Sequence, residues 1–152
     1  MTAPAPIASA ALAASAGTGK TFALSSRYIA LLAAGAEPAC LVALTFTRKA
    51  AGEILARILT RLANAARSPD GFDELNRQLA DAALPGFAAL ADARGALRAL
   101  VRHLPRLRIG TLDSFFFLIL RQFRLELGIG TEPAIAEETG EAMDDLVLQR
   151  LL

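Results

Sequence analysis

The chain alternates between short unbroken apolar runs and longer stretches in which apolar residues recur every three or four positions. Residues 7–13 form an uncharged run of strand length, broken by Gly17-Thr18-Gly19. Such a run suits a strand buried on both faces of a parallel sheet, although alanine is a poor strand former. Over residues 20–34 the period turns helical, with Phe22, Leu24, Tyr28, Ile29, Leu31 and Leu32 apolar, and Gly35 and Pro38 end it. Residues 40–46 are a second run of strand length, and Thr47 stands where it can cap a following helix. Ile54, Ile58 and Leu62, flanked by Leu55 and Leu59, predict a core-facing stripe on a helix reaching about Arg67. Ser68-Pro69-Asp70-Gly71 reads as a turn. Helical patterns follow over about 73–84 and 87–104, parted by Pro85-Gly86, and residues 107–111 are a third strand candidate. Asp113 or Ser114 is placed to cap a long helix ending near Gly128, with Phe115, Phe116, Phe117 and Phe123 as packing residues. Gly128, Gly130 and Pro133 mark a loop, and residues 137–152 are helical again.

Strands alternating with helices predict an α/β domain built on a parallel sheet, with residues 48–104 as a mainly helical insertion. At 152 residues the chain has the size of one domain or a large piece of one. Hydrophobic residues at 54% and charged residues at 20% exclude a disordered chain. A single cysteine, Cys40, excludes a disulfide scaffold and fits a reducing compartment. One histidine and one cysteine leave too few ligands for an internal zinc site. The net charge of +1 is unevenly placed: residues 1–130 carry 15 basic and 9 acidic residues, residues 131–152 carry 1 and 6. That distribution is compatible with a polyanionic partner and equally with an ordinary solvated surface. The first basic residue, Lys20, follows the apolar N-terminal run instead of preceding it, which is the wrong order for a secretory signal. No run of about twenty uncharged apolar residues spans a bilayer. The expectation is a cytoplasmic protein with no membrane partner.

Ala14-Ser15-Ala16-Gly17-Thr18-Gly19-Lys20-Thr21 lies between the first apolar run and the first helix. That context suits a phosphate-binding loop: glycines let successive N–H groups curl inward, and the helix N-terminus adds partial positive charge. Lys20 would reach the β- and γ-phosphates of a nucleotide, and the Thr21 hydroxyl would ligate Mg²⁺. The common pattern opens with glycine where this chain has Ala14.

Three segments in order, 14–21, Ala-Leu-Thr-Phe-Thr-Arg-Lys-Ala-Ala-Gly-Glu-Ile at 43–54 and Ile-Gly-Thr-Leu-Asp-Ser-Phe-Phe at 109–116, resemble the first ATPase motif and two single-strand-binding motifs of superfamily 1 helicases of the UvrD/Rep type. The loop and the Asp-Ser-Phe-Phe form look most like the RecB and AddA helicase–nuclease subunits. The resemblance covers residues from about 7 to 130. It implies a P-loop NTPase (RecA-like) parallel sheet with helices on both faces and a helical insertion. It also implies ATP and Mg²⁺ as cofactors, single-stranded or duplex-end DNA as partner, and other subunits of a helicase–nuclease complex acting in recombination and repair. Residue by residue, it implies nucleotide contact at Gly17, Gly19, Lys20 and Thr21, with Arg27 against the adenine. It implies DNA contact at Thr45, Phe46, Thr47, Thr111 and Ser114, with Lys49 adding phosphate attraction. Many relatives have histidine at the position of Asp113, whose charge would repel a phosphate, so Asp113 is expected to cap a helix. Without the resemblance, Phe46 reads more simply as a core aromatic. Arg94, Arg98 and Arg102 share a helical face that is either solvated or tracks DNA.

Hydrolysis also needs an acidic residue for Mg²⁺ and an arginine finger. The text Asp73-Glu74-Leu75-Asn76-Arg77-Gln78 imitates the family's acidic motif with the wrong spacing and context, and reads as a decoy. Residues 1–152 are therefore expected to be the N-terminal part of a longer helicase, an incomplete motor domain, with 137–152 beginning a further helical segment. Such a segment would bind nucleotide weakly and not unwind DNA. Two other readings stand beside it: a P-loop kinase with a small acceptor, and a noncatalytic nucleotide- or DNA-binding module.

Overall fold

A computed structural model describes residues 7–11 and 19–128. Helix α1 spans Lys20–Ala33, strand β1 Val42–Thr45, α2 Arg48–Arg67, α3 Pro69–Asp81, α4 Leu90–Arg102, β2 Arg108–Thr111 and α5 Leu112–Gln122. Short 3₁₀ turns at Pro38–Cys40 and Leu104–Arg106 lead into the two strands. The chain divides into two compact units, Met1–Phe115 and Phe116–Leu152.

In the first unit α2 is the organiser. Ala51, Ile54, Ile58, Leu62 and Ala65 are buried along one stripe, against α1, α3, α4 and both strands. Tyr28, Ile29 and Leu32 of α1, Leu75 and Leu79 of α3, and Ala93 and Leu100 of α4 complete the core. α1 closes on a Schellman turn: Ala36 N–H donates to Leu31 O and Gly35 N–H to Leu32 O, with Gly35 at φ 88°.

β1 and β2 pair in parallel, Val42 with Arg108 through Thr45 with Thr111. The second and third apolar runs thus become strands, the second starting at Val42 because Pro38–Cys40 turns first. The first run does not. Residues 7–11 carry no strand; Ile7 packs on the core, and the Arg27 guanidinium donates to Ala8 O, an acceptor that a strand neighbour would otherwise use. Residues 12 and 13 lie outside the described residues. Helices were expected on both faces of the sheet. Among the described residues Leu41, Ala43, Leu107 and Ile109 join the core on one face, while Val42 on the other is 47% exposed.

Two helix boundaries also differ. Ser68-Pro69-Asp70-Gly71 is not a turn but the start of α3: Ser68 Oγ accepts from Gly71 N–H, and Pro69 takes the first helical position, where its missing N–H costs nothing. α4 begins at Leu90, where Asp92 Oδ2 accepts from Ala89 N–H. The expected helix over 137–152 lies outside the described residues.

In the second unit the described residues finish α5 and turn through Gly128 at φ 68°. Phe116 and Phe123, expected in packing, are exposed there, as are Leu118, Leu120, Leu125 and Leu127.

Candidate functional site

Both strands of a parallel pair point the same way, so the segments leaving them arrive at one edge. Here each strand feeds directly into a helix. β1 ends at Thr45, half-buried and opposite Thr111 in the register. Phe46 comes next and is 83% exposed. Thr47 then caps α2, its Oγ1 accepting from Ala50 N–H at 3.1 Å. The cap uses a lone pair and leaves the Thr47 O–H available to an incoming acceptor.

At β2 the equivalent cap is Thr111, 7% exposed, whose Oγ1 accepts from Ser114 N–H at 3.2 Å and lies 2.8 Å from Ser114 Oγ. Those two hydroxyls share one hydrogen, so a second remains to donate outward. This corrects the expectation for Asp113 and Ser114. α5 starts two to three residues earlier than expected, Thr111 is the cap, and Asp113 sits exposed in the first turn, where its charge suits the helix dipole.

The N-termini of α2 and α5 therefore meet at the C-terminal edge of the sheet, around a hollow of about 300 Å³ lined by Arg48, Gly52, Leu55, Gly110, Thr111 and Ser114. Both dipoles present partial positive charge to that hollow, and Arg48 adds a full one. Lys49 is exposed on the first turn of α2. The fold thus brings together Thr45, Phe46, Thr47, Lys49, Thr111 and Ser114, although more than sixty residues separate the two segments.

The other sequence-predicted group is described only in part. Ala14, Ser15, Ala16, Gly17 and Thr18 lie outside the described residues. Gly19 precedes α1 at φ 84°, a left-handed conformation that glycine adopts without strain. Lys20 and Thr21 are the first two residues of α1. No side chain caps that helix and no acid occupies its first turn, so its leading N–H groups are suited to an anion. Arg27 is half-buried and holds Ala8 O. Among the described residues no group of three or more His, Cys, Asp or Glu side chains could hold a metal. None of the described helices is long and apolar enough to cross a membrane.

Asp73, Glu74 and Gln78 sit within α3, where Glu74 binds Arg77 and Gln78 in its own helix. Arg94 donates to Ala66 O at the end of α2 at 2.8 Å, so part of the arginine face ties α4 to α2.

Sequence reasoning missed Arg61. It lies in the α2 stripe between Ile58 and Ala65, yet it is half-buried and no carboxylate among the described residues pairs with it. Nη1 donates to Ser25 Oγ at 3.1 Å and Ser26 Oγ at 2.8 Å, Nη2 donates to Gln78 Oε1 at 2.9 Å, and the guanidinium lies over the Phe22 ring, 4.4 Å from its centroid. Desolvation, and then repulsion from Arg57, lowers its pKa from the ordinary guanidinium value. The signal was a charged residue inside a helical core stripe.

Comparison with known proteins supplies the lineage. The profile of the UvrD/REP helicase N-terminal domain family matches residues 4–151. An ATP-dependent helicase/nuclease subunit from Streptococcus sanguinis (strain SK36) is 33% identical over 141 residues, 91% of this chain and 10% of that protein. An exonuclease/helicase subunit RexA from Streptococcus pneumoniae serotype 4 is 36% identical over 107 residues, 68% of this chain and 7% of that protein. A RecBCD enzyme subunit RecB from Mycobacterium tuberculosis (strain CDC 1551 / Oshkosh) is 32% identical over 142 residues, 91% of this chain and 12% of that protein. The chain spans about a tenth of the length of these relatives. No solved structure matches it. With nearly its whole length matched by one family profile, the chain belongs to the UvrD/REP helicase N-terminal domain family.

Proposed function

We propose that residues 1–152 form the N-terminal part of the ATP-binding domain of an ATP-dependent DNA helicase, in a P-loop, RecA-like arrangement, acting in DNA recombination and repair in the cytoplasm. The observation that carries the DNA half of this reading is the register pair Thr45–Thr111, which sets Phe46, exposed, beside two capped helix N-termini at one sheet edge. A ring there stacks on any base, and the hydroxyls of Thr47 and of the Thr111–Ser114 pair donate to phosphates without reading sequence. Arg48 and Lys49 add attraction that salt weakens.

The nucleotide half rests on α1. Its uncapped N-terminus and Lys20 would hold the β- and γ-phosphates, with residues 14–18 as further nucleotide contacts, Arg27 near the base, and the Thr21 hydroxyl on Mg²⁺. Mg²⁺, when bound, would supply positive charge that offsets the charge of the phosphates. The helicase–nuclease names of the relatives suggest that other subunits and a nuclease are partners in the complete assembly.

The test is paired binding of a fluorescent ATP analogue with Mg²⁺ and of a labelled oligothymidine. Lys20→Ala should abolish the first and spare the second, and Phe46→Ala the reverse. Binding of neither ligand by the unmodified chain, or loss of both in either variant, would refute the assignment.

A further inference from the structure

The Arg61 cluster is built from residues assigned neither to the proposed DNA edge nor to the phosphate ligands, and its placement gives it a different part. A guanidinium withdrawn from water normally finds a carboxylate; this one finds two serines, one glutamine and an aromatic face. Three of those four partners, Phe22, Ser25 and Ser26, lie in the first two turns of α1. Phe22 is the next residue after Lys20-Thr21, and Ser25 lies one helical turn beyond Thr21. The fourth, Gln78, belongs to α3, so one side chain of α2 fastens the leading half of α1 to the helical insertion. The start of α1 carries no side-chain cap and no acid in its first turn, and Gly19 enters it at a left-handed φ. The Nε of Arg61 is buried with no acceptor among the described residues, a group whose burial hydrogen bonding alone does not repay.

We propose that Arg61 is a positioning residue for Lys20 and Thr21 at the start of α1: by holding Phe22, Ser25 and Ser26 against Gln78, it sets their seat and makes nucleotide affinity depend on the α2–α3 insertion. The inference rests on the reading of Lys20 as a phosphate ligand. A neutral apolar residue at this position removes a desolvated charge, so Arg61→Met keeps the fold while releasing the clamp.

The experiment measures Kd for a fluorescent ATP analogue with Mg²⁺, alongside thermal melting, in the 152-residue chain and in Arg61→Met, Arg61→Lys, Gln78→Leu, Leu79→Ala and Lys20→Ala. Arg61→Met should melt near the unmodified chain yet bind roughly tenfold more weakly, within the range of ordinary site-to-site coupling. Arg61→Lys, which keeps the charge but reaches fewer partners, should fall between the two. Leu79→Ala, a core deletion in α3 outside the cluster, should melt lower and bind normally at a temperature where it is folded. An unchanged Kd in folded Arg61→Met overturns the inference, as does a Kd that follows melting temperature across all variants, Leu79→Ala included. Should Arg61→Met fail to fold, Gln78→Leu decides in its place: weaker binding supports the clamp and unchanged binding overturns it. Affinity indifferent to Lys20→Ala overturns the phosphate-loop reading and this inference with it; affinity that needs Lys20 but ignores Arg61 overturns the inference alone.

Discussion

Replacing Phe46 with alanine separates a ring kept for a ligand from a ring kept for the core. With 83% of the residue exposed, about a sixth of a side chain of roughly 200 Å² is covered by protein. At about 25 cal/mol per Å², its deletion costs the fold under about 1 kcal/mol. A core phenylalanine would cost about 3–5 kcal/mol. If the ring stacks on a base, the same deletion removes about 1–3 kcal/mol of binding, or roughly 5- to 150-fold in Kd. Fluorescence anisotropy with a labelled oligothymidine reads the second quantity, and urea denaturation followed by circular dichroism reads the first. Phe46→Tyr should behave like the unmodified chain in both. An unchanged Kd, or a stability loss near that of a core deletion, would refute the reasoning.

Other substitutions have equally definite expected outcomes. A Cβ on Gly71 would sit 2.4 Å from Asn64 O, a backbone atom that cannot turn aside, so Gly71→Ala should destabilise by about 1–3 kcal/mol in urea melts. Gly52, in the second turn of α2 with open space around its Cα, should accept alanine and gain about 0.5–1 kcal/mol in the same assay. Thr111→Val keeps the shape of the cap but not its acceptor and should cost about 1 kcal/mol, whereas Asp113→Asn should cost no more than a few tenths at moderate salt. Burial pushes the Tyr28 phenol up to about 12 from its ordinary 10. The folded state therefore favours the protonated form, and this contribution to stability is complete below pH 10 and lost as pH rises towards 12. Its hydroxyl has no hydrogen-bond partner among the described residues, so Tyr28→Phe should both remove that alkaline loss and raise stability by about 1 kcal/mol, read by denaturation at pH 8 and pH 11.

The legible parts of this chain were those in which local chemistry and tertiary packing agree. The α2 stripe at Ile54, Ile58 and Leu62 is fixed by period alone, and Thr47 and Gly35 start and stop helices by backbone chemistry that needs no neighbours. Ser68-Pro69 misled because the same residues serve a turn and a helix start, and the residues after them decide between the two. Residues 7–11 misled because an apolar run needs a partner strand before it is a strand, and here Arg27 takes the carbonyl first. The candidate site was legible as three motifs and not as a place. Only the register of β1 against β2 shows that two of them share an edge. Arg61 stayed hidden because its partners come from helices whose mutual packing no local pattern encodes.

The pairing of β1 with β2 also sets an order of events when the chain folds. The helices α2, α3 and α4 all lie between the two strands in sequence, so the strands meet only after a long loop has closed. Closing such a loop is entropically unfavourable until the intervening helices have condensed, and contacts of this separation form late and slowly. The ledge bearing Phe46 and its facing hydroxyls is thus among the last features to mature. On that ordering a nascent or heat-loosened chain would form its helical bundle before this edge closes, and binding of an oligonucleotide at the edge would then be a more demanding gauge of completed folding than helix content.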